Sequence, residues 1–205
     1  MFELYITAFV TLLVVIDPAG CAPIFAGLTA QTPLAHQRAM ATRSTLVATI
    51  VLLGFAFVGQ AFLNSLGVSL AAFRISGGIM LFLIALEMVF EKRTQRREHR
   101  AEEVMSAEHD DISVFPMGIP MIAGPGSIAS VMLLMGRAHA PTEQAVVIAA
   151  LLSVMLLTLI ALRVAAPLMR LVGPKMEAVI TRVLGVILAA LAVQFVLDGI
   201  KAGLG

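Results

Sequence analysis

Charge is what this chain has least of. Charged residues make up 13% of its 205 positions, about half the roughly 25% that a soluble domain carries. Sixty per cent of the chain is apolar and the mean hydropathy is +0.98. So little charge excludes a solvated globular surface and predicts a polytopic membrane protein, with the lipid bilayer as its surroundings. A net charge of +1 leaves no electrostatic footing for nucleic acid. Cys21 is the only cysteine, which excludes an intrachain disulfide. Tryptophan is absent and tyrosine occurs once, so the usual aromatic belt at the membrane interface is thin. His36, His99, His109 and His139 fall in predicted loops or helix ends. With no H-E-x-x-H, no paired mid-span aspartates and no phosphate-binding motif, the expectation is a protein that is not an enzyme and carries no cofactor.

Long apolar runs are there in their place. A membrane span needs about 20 mainly apolar residues, and six stretches qualify: 2–28, 45–63, 66–90, 113–137, 143–163 and 178–200. The one strongly polar tract, 91–112, contains Lys92, Arg93, Arg96, Arg97 and Arg100 and reads as a solvated loop. Eleven of the fourteen Lys and Arg residues lie in the connections after spans one, three and five; Arg74, Arg137 and Lys201 lie on the other side. That asymmetry predicts both termini outside and the 91–112 loop in the cytoplasm. Glu3 stands where a signal peptide would be positive, and Asp17-Pro18 would interrupt its apolar region, so the first span is expected to remain as an anchor.

The two halves resemble each other. Pro18 corresponds to Pro125, Pro33 to Pro141, Arg74-Ile75-Ser76-Gly77-Gly78-Ile79 to Arg182-Val183-Leu184-Gly185-Val186-Ile187, and Gly67 to Gly173. The order is kept at a nearly constant offset. The predicted organisation is a three-helix repeat over 1–90, the charged loop over 91–112 and a second repeat over 113–205. An odd number of spans per repeat makes the second copy enter the membrane from the opposite side. The expected fold is thus all-α, six transmembrane helices in two inverted three-helix repeats, a transporter signature with the site at the repeat interface.

Two interruptions mark that site. Asp17-Pro18-Ala19-Gly20-Cys21 and Gly124-Pro125-Gly126-Ser127 fall near the centres of the first and fourth spans. A proline inside a helix removes a donor and clashes with the preceding turn, at a cost of about 3 kcal/mol or more. In lipid such a break is tolerated only inside protein or along a wet cavity. Asp17-Pro18 reads as an N-cap followed by the first helical residue, and Gly124-Pro125 reads the same way. Each second half-helix would then present free amides and partial positive charge at mid-membrane, suited to a carboxylate. Asp17, the only acid at mid-span, either caps its own half-helix or also faces a substrate ammonium, a proton or a sodium ion. Gln194 is a deeper polar position that could contact substrate or bond between helices. Asp198-Gly199 reads as a helix C-terminus.

These blocks resemble the MarC-like family of integral membrane proteins, which includes small neutral amino acid transporters. The resemblance rests on Asp17-Pro18-Ala19-Gly20 with Pro23-Ile24-Phe25, and on Phe73-Arg74-Ile75-Ser76-Gly77-Gly78-Ile79. It continues through Pro120-Met121-Ile122-Ala123-Gly124-Pro125-Gly126-Ser127-Ile128 and Ala192-Val193-Gln194 with Asp198-Gly199. It implies a six-helix inner-membrane protein whose substrates are small neutral amino acids such as glycine and alanine. Cys21 stands where members of the family often carry Asn. The expected function is a secondary transporter working by alternating access, coupled to a proton or sodium ion. Its substrate would sit at Asp17, Pro18, Gly20, Cys21, Gly124, Pro125, Gly126, Ser127 and Gln194. The alternatives are a passive facilitator using the same breaks and a non-transporting membrane scaffold.

Overall fold

A computed structural model describes residues 1–90, 92, 93, 95, 96, 99 and 111–204; for 166–175 and 177 it describes the backbone alone. Most of the 91–112 tract, including Arg97 and Arg100, therefore lies outside the described residues, as does the side-chain environment of Gly173. The described chain is helical, with no strand among the described residues. Its helices are α1 (Phe2–Ile16), α2 (Pro18–Leu28), α3 (Leu34–Ser65), α4 (Leu70–Val89), α5 (Pro125–Met135), α6 (Pro141–Arg163) and α7 (Ala165–Leu204). Between α4 and α5 runs an irregular coiled segment, Ser113–Ile122. Five helices are long and apolar enough to cross a membrane when α1 and α2 count as one, and six spans result if the Ser113–Ile122 segment and α5, bent by 54°, count as another.

Two boundaries differ from those expected. The second span was placed at 45–63, but α3 begins at Leu34. Nothing between Pro33 and Ser44 breaks a helix. At 1.5 Å per residue its 32 residues reach about 48 Å, beyond the roughly 30 Å hydrocarbon core, so the polar turns carrying His36, Gln37, Arg38 and Arg43 can extend past the lipid. The last helix likewise runs to Leu204, so Asp198-Gly199 does not end it. Gly199 is instead a packing residue: a Cβ there would meet the Ala71 carbonyl at 3.0 Å.

The inner half of α1 is buried through Ala8, Leu12, Val14, Val15 and Ile16. It packs on α6 and α5, and Tyr5 donates to the Ser153 hydroxyl of α6 at 3.0 Å. The most extensive interface joins α4 to α7. In lipid, helices associate through close packing of small residues, since the bilayer is as apolar as a leucine. A Cβ on Gly78 would stand 2.8 Å from the Ala192 carbonyl, and one on Gly185 would stand 3.1 Å from that of Ala85. These pairs, with Gly199 against Ala71, make α4 and α7 antiparallel. The turn from α3 into α4 uses Gly67 at φ 71°, a left-handed conformation that glycine adopts without a Cβ clash. Ser69 then caps α4, its hydroxyl accepting the Ala72 amide at 3.1 Å.

Polar side chains gather at the ends of the bundle. At one end Arg43 pairs with Asp111 at 2.8 Å and Arg163 donates to Thr42 at 3.0 Å. Arg137 of the α5–α6 turn pairs with Asp198 of α7. Arg74, near the start of α4, donates to the Gly136 carbonyl at 2.9 Å.

Candidate functional site

The first break turns on one residue. Asp17 has φ 57° and ψ 68°, a left-handed conformation that costs most L-residues about 1–2 kcal/mol but that Asp and Asn visit more readily than others. The Leu13 carbonyl accepts the Asp17 amide at 2.9 Å, and one Asp17 carboxylate oxygen accepts the Gly20 amide at 3.0 Å. The Asp17 carbonyl accepts the Cys21 amide at 3.0 Å. Asp17 therefore ends α1 and caps α2 at once, and is buried at 2% exposure. Pro18 opens α2, as the first helical position favours.

Interrupting the helix at Pro18 strands carbonyls of the last turn of α1. Val15 would ordinarily accept from residue 19 and Ile16 from residue 20, but the Gly20 amide has gone to Asp17. Their carbonyls bond elsewhere. Arg93 reaches back to the Val15 carbonyl at 2.5 Å, and the Cys21 thiol donates to the Ile16 carbonyl at 3.5 Å. The site that family resemblance marks as commonly Asn is thus filled here by a thiol that bonds across the break.

The second break is built differently on its approach. Two half-helices were expected, but Ser113–Ile122 has extended residues at Phe115 and Ile119 and cis peptide bonds before Pro116 and Pro120. Six residues, Phe115 to Pro120, contain two prolines and two extended backbones, so no regular helix forms. Gly124 is extended at φ −87°, ψ 173°, and Pro125 begins α5. A Cβ at Gly124 would lie 2.5 Å from the Pro120 carbonyl oxygen, so the tight backbone turn demands glycine. Ser127 reaches back to the Ile122 carbonyl at 2.8 Å, spanning five residues as Cys21 does. The Gly124 carbonyl takes the Ile128 amide at 3.0 Å. Among the described residues no acceptor takes the amides of Gly126 and Ser127.

The two breaks meet. A Cβ on Gly126 would fall 2.5 Å from Ile84 Cδ1 and 3.2 Å from Val15 Cγ1. Beside this contact lies a cavity of about 110 Å³, lined by Val15, by Pro120, Met121 and Gly124 to Ser127, by Ile84 and Glu87 of α4, and by Arg93 and Arg96. Arg96 pairs with Glu87 at its edge. The cavity is small beside the roughly 300–1,000 Å³ of drug-sized ligand sites and suits a compact solute.

Of the residues expected to form the site, Gly124, Pro125, Gly126 and Ser127 line this cavity. Asp17, Pro18, Gly20 and Cys21 are buried but do not line it, and the amides of Gly20 and Cys21 are already bonded. Paired half-helix termini were expected to share an anion; the first is capped from within, and the second keeps its amides. Gln194 is brought to neither break. It is exposed on α7 and donates to Asp198 at 2.7 Å. Arg93 and Arg96 were read as part of a solvated loop; both line the cavity, Arg96 with an exposed side chain. The sequence held one signal for this: a broken helix in lipid needs donors for its stranded carbonyls.

Comparison with known proteins assigns the architecture. Residues 2–204 match the model of the MarC family integral membrane proteins. A UPF0056 membrane protein of Methanocaldococcus jannaschii is 35% identical over 202 residues, covering 98% of both chains. The UPF0056 membrane protein YvbG of Bacillus subtilis is 33% identical over 202 residues, 98% of this chain and 96% of its own. YhcE of Escherichia coli is 31% identical over 201 residues, 98% and 93% respectively. No solved structure matches the chain. The spans, the bent helix pair and a match over nearly every residue agree: this chain belongs to the MarC family of multi-pass integral membrane proteins.

Proposed function

We propose that this protein is a secondary transporter of a small neutral amino acid, glycine- or alanine-like, working by alternating access in the cell's inner membrane. The observation that carries the reading is the cavity at the second break. It joins two amides without an acceptor among the described residues, at Gly126 and Ser127, to a carboxylate, Glu87, within about 110 Å³. A zwitterion has one end for each: its carboxylate for the start of α5, where the helix dipole adds positive charge, and its ammonium for the Glu87 oxygen that Arg96 does not take. Ile84, Val15 and Met121 in the lining favour a small, apolar side chain. Asp17 holds the first break in shape, and a coupling proton or sodium ion is its further role.

Inverted repeats are part of the proposal, and the packing supports them. Exchanging α1–α2 with the 113–122 segment and α5, α3 with α6, and α4 with α7 maps the most extensive helix contacts onto one another. Thus α3 packs on Ser113–Ile122 as α6 packs on α1, α4 packs on α5 as α7 packs on α2, and α4 meets α7. The antiparallel α4–α7 pair is what a two-fold axis in the membrane plane requires. With the positive connections cytoplasmic and the termini outside, the cavity faces the cytoplasm.

Flux of radiolabelled glycine and alanine into proteoliposomes tests the reading. Saturable uptake, counterflow and a response to an imposed proton or sodium gradient are expected, and Gly126→Ala, whose methyl enters the Ile84–Val15 contact, should depress them. Absence of flux for every small amino acid by folded protein overturns the substrate. Flux that neither saturates nor shows counterflow makes the protein a passive facilitator.

A further inference from the structure

At the other end of α5 stands a second polar cluster that the proposed substrate site does not use. Arg137, just past the helix, pairs with Asp198 of α7. Its guanidinium lies 4.2 Å from the centre of the Phe195 ring, a ring that is 1% exposed. Gln194 donates to the other Asp198 oxygen at 2.7 Å, so both carboxylate oxygens are engaged. From α4, Arg74 donates to the Gly136 carbonyl, at the terminus where a helix dipole favours a cation. Its Nε is buried with no partner among the described atoms. Three elements, α4, α5 and α7, are thus tied at one point by an ion pair and a hydrogen bond.

The position of this cluster matters. Arg74 and Glu87 are 13 residues apart on α4, about 20 Å along the axis. Glu87 lines the cavity at the start of α5, and Arg74 holds the end of α5. The short helix, 11 residues long, therefore faces the cavity at its first turn and is pinned at its last. Between the two, α5 packs on α1 and α3 through apolar and small side chains such as Gly59 against Met132. Those contacts are not directional. An ion pair with an aromatic platform has two discrete states, made and broken, which is what a switching element requires.

We infer that Arg137, Asp198 and Gln194 form a latch that holds the end of α5 against α7 and closes the route from the substrate cavity to the membrane face opposite the charged loop. Opening that route requires the Arg137–Asp198 pair to part, with the Arg74 contact to Gly136 moving alongside it. The inference rests on the transport reading for its purpose, but its geometry is open to a direct measurement of access.

The measurement is sided labelling. In a Cys21→Ala background, Ser127→Cys places a thiol in the cavity, and a membrane-impermeant maleimide is added from either side of oriented vesicles. With the latch intact, labelling is expected from the side of the 91–112 loop and little from the other. Asp198→Asn and Arg137→Gln are expected to raise labelling from the opposite side severalfold, and Arg137→Asp with Asp198→Arg to lower it again. Opposite-side labelling that is unchanged in both neutral variants, with loop-side labelling retained, overturns the latch. Should the neutral variants fail to purify as monodisperse protein, Asp198→Glu decides. It keeps the charge but cannot hold Arg137 and Gln194 at the same reach, so labelling above wild type supports the latch and labelling equal to wild type overturns it. Flux separates the two readings. Latch-dependent access without flux of any small amino acid rejects transport and keeps the latch, whereas saturable flux with access indifferent to the pair rejects the latch alone.

Discussion

Asp17 can be tested as a structural residue apart from any contact with substrate. The comparison uses three neutral replacements, Asn, Gly and Ala, so that whatever the carboxylate charge contributes drops out equally from all three. Asparagine keeps an oxygen for the Gly20 amide, now bonded at 3.0 Å, and tolerates φ 57° better than other residues with a Cβ. Glycine loses the oxygen but adopts the left-handed conformation freely, and glycine at an N-cap costs only a few tenths of a kcal/mol. Alanine loses both. Removal of the cap costs about 1 kcal/mol, and the left-handed backbone costs about another 1–2 kcal/mol. The expected order of stability is Asn, then Gly, then Ala, with Ala about 2–3 kcal/mol below Asn. For a chain of this length each kcal/mol moves the midpoint by roughly 2–4 °C, so thermal unfolding in detergent should separate Ala from Asn by about 4–12 °C. Coincident melting of Ala and Asn would refute the argument that Asp17 is selected for its backbone and its cap.

Three further outcomes follow from local geometry. Gly124→Ala should destabilise more than Gly126→Ala, because the first methyl meets a backbone oxygen, Pro120 O at 2.5 Å, and the second meets the movable end of Ile84; thermal melts of the two variants decide. Gly78→Ala should cost about 1–3 kcal/mol by overpacking the α4–α7 interface. Gly54→Ala, with nothing within 4 Å, should be neutral or gain up to about 1 kcal/mol of helix propensity, which the same melts report. At the membrane edge, bonds from the Ser113 hydroxyl and amide hold the Asp111 carboxyl below its usual range, against an opposing effect of burial and with a lesser contribution from Arg43. A depressed folded pKa adds stability above the unfolded value, near 3.9, and that stability is lost as pH falls through the folded value. The melting difference between wild type and Asp111→Asn should therefore shrink from about pH 6 to about pH 3, and a difference constant across that range would contradict the assignment.

The fold was legible in the sequence wherever a single residue dictates a backbone event. Pro18 and Pro125 start helices because proline can start one and cannot continue one, and both do so. Helix ends were harder to read. The polar turns of α3 before Thr45 and the continuation of α7 past Gly199 carry no breaker, and composition alone marks where lipid ends, not where a helix does. The Ser113–Ile122 segment was read as half a helix because its composition is as apolar as that of α1. Only the spacing of Pro116 and Pro120 hinted that regular hydrogen bonding would fail there.

What stayed hidden was the completion of the site, and the reason is physical. A break strands acceptors and donors in pairs, and local sequence reveals which are stranded but not which distant groups satisfy them. At the first break the stranded carbonyls of Val15 and Ile16 are met by Arg93, 78 residues away, and by Cys21, while Asp17 takes the Gly20 amide. At the second, Ser127 covers the Ile122 carbonyl and the amides of Gly126 and Ser127 keep no acceptor among the described residues. The two breaks look equivalent in sequence and differ in what remains over: the first is closed by its own cap and an arginine, and the second keeps two amides on residues that line a cavity. The difference traces to one pair of residues, aspartate at 17 against glycine at 124. A side chain that caps its own helix removes the amide a ligand would use; a glycine at the cap leaves it available. This difference between the two breaks is the support for putting the anion end of the proposed site on α5, with α2 left to hold α1 in register beside it.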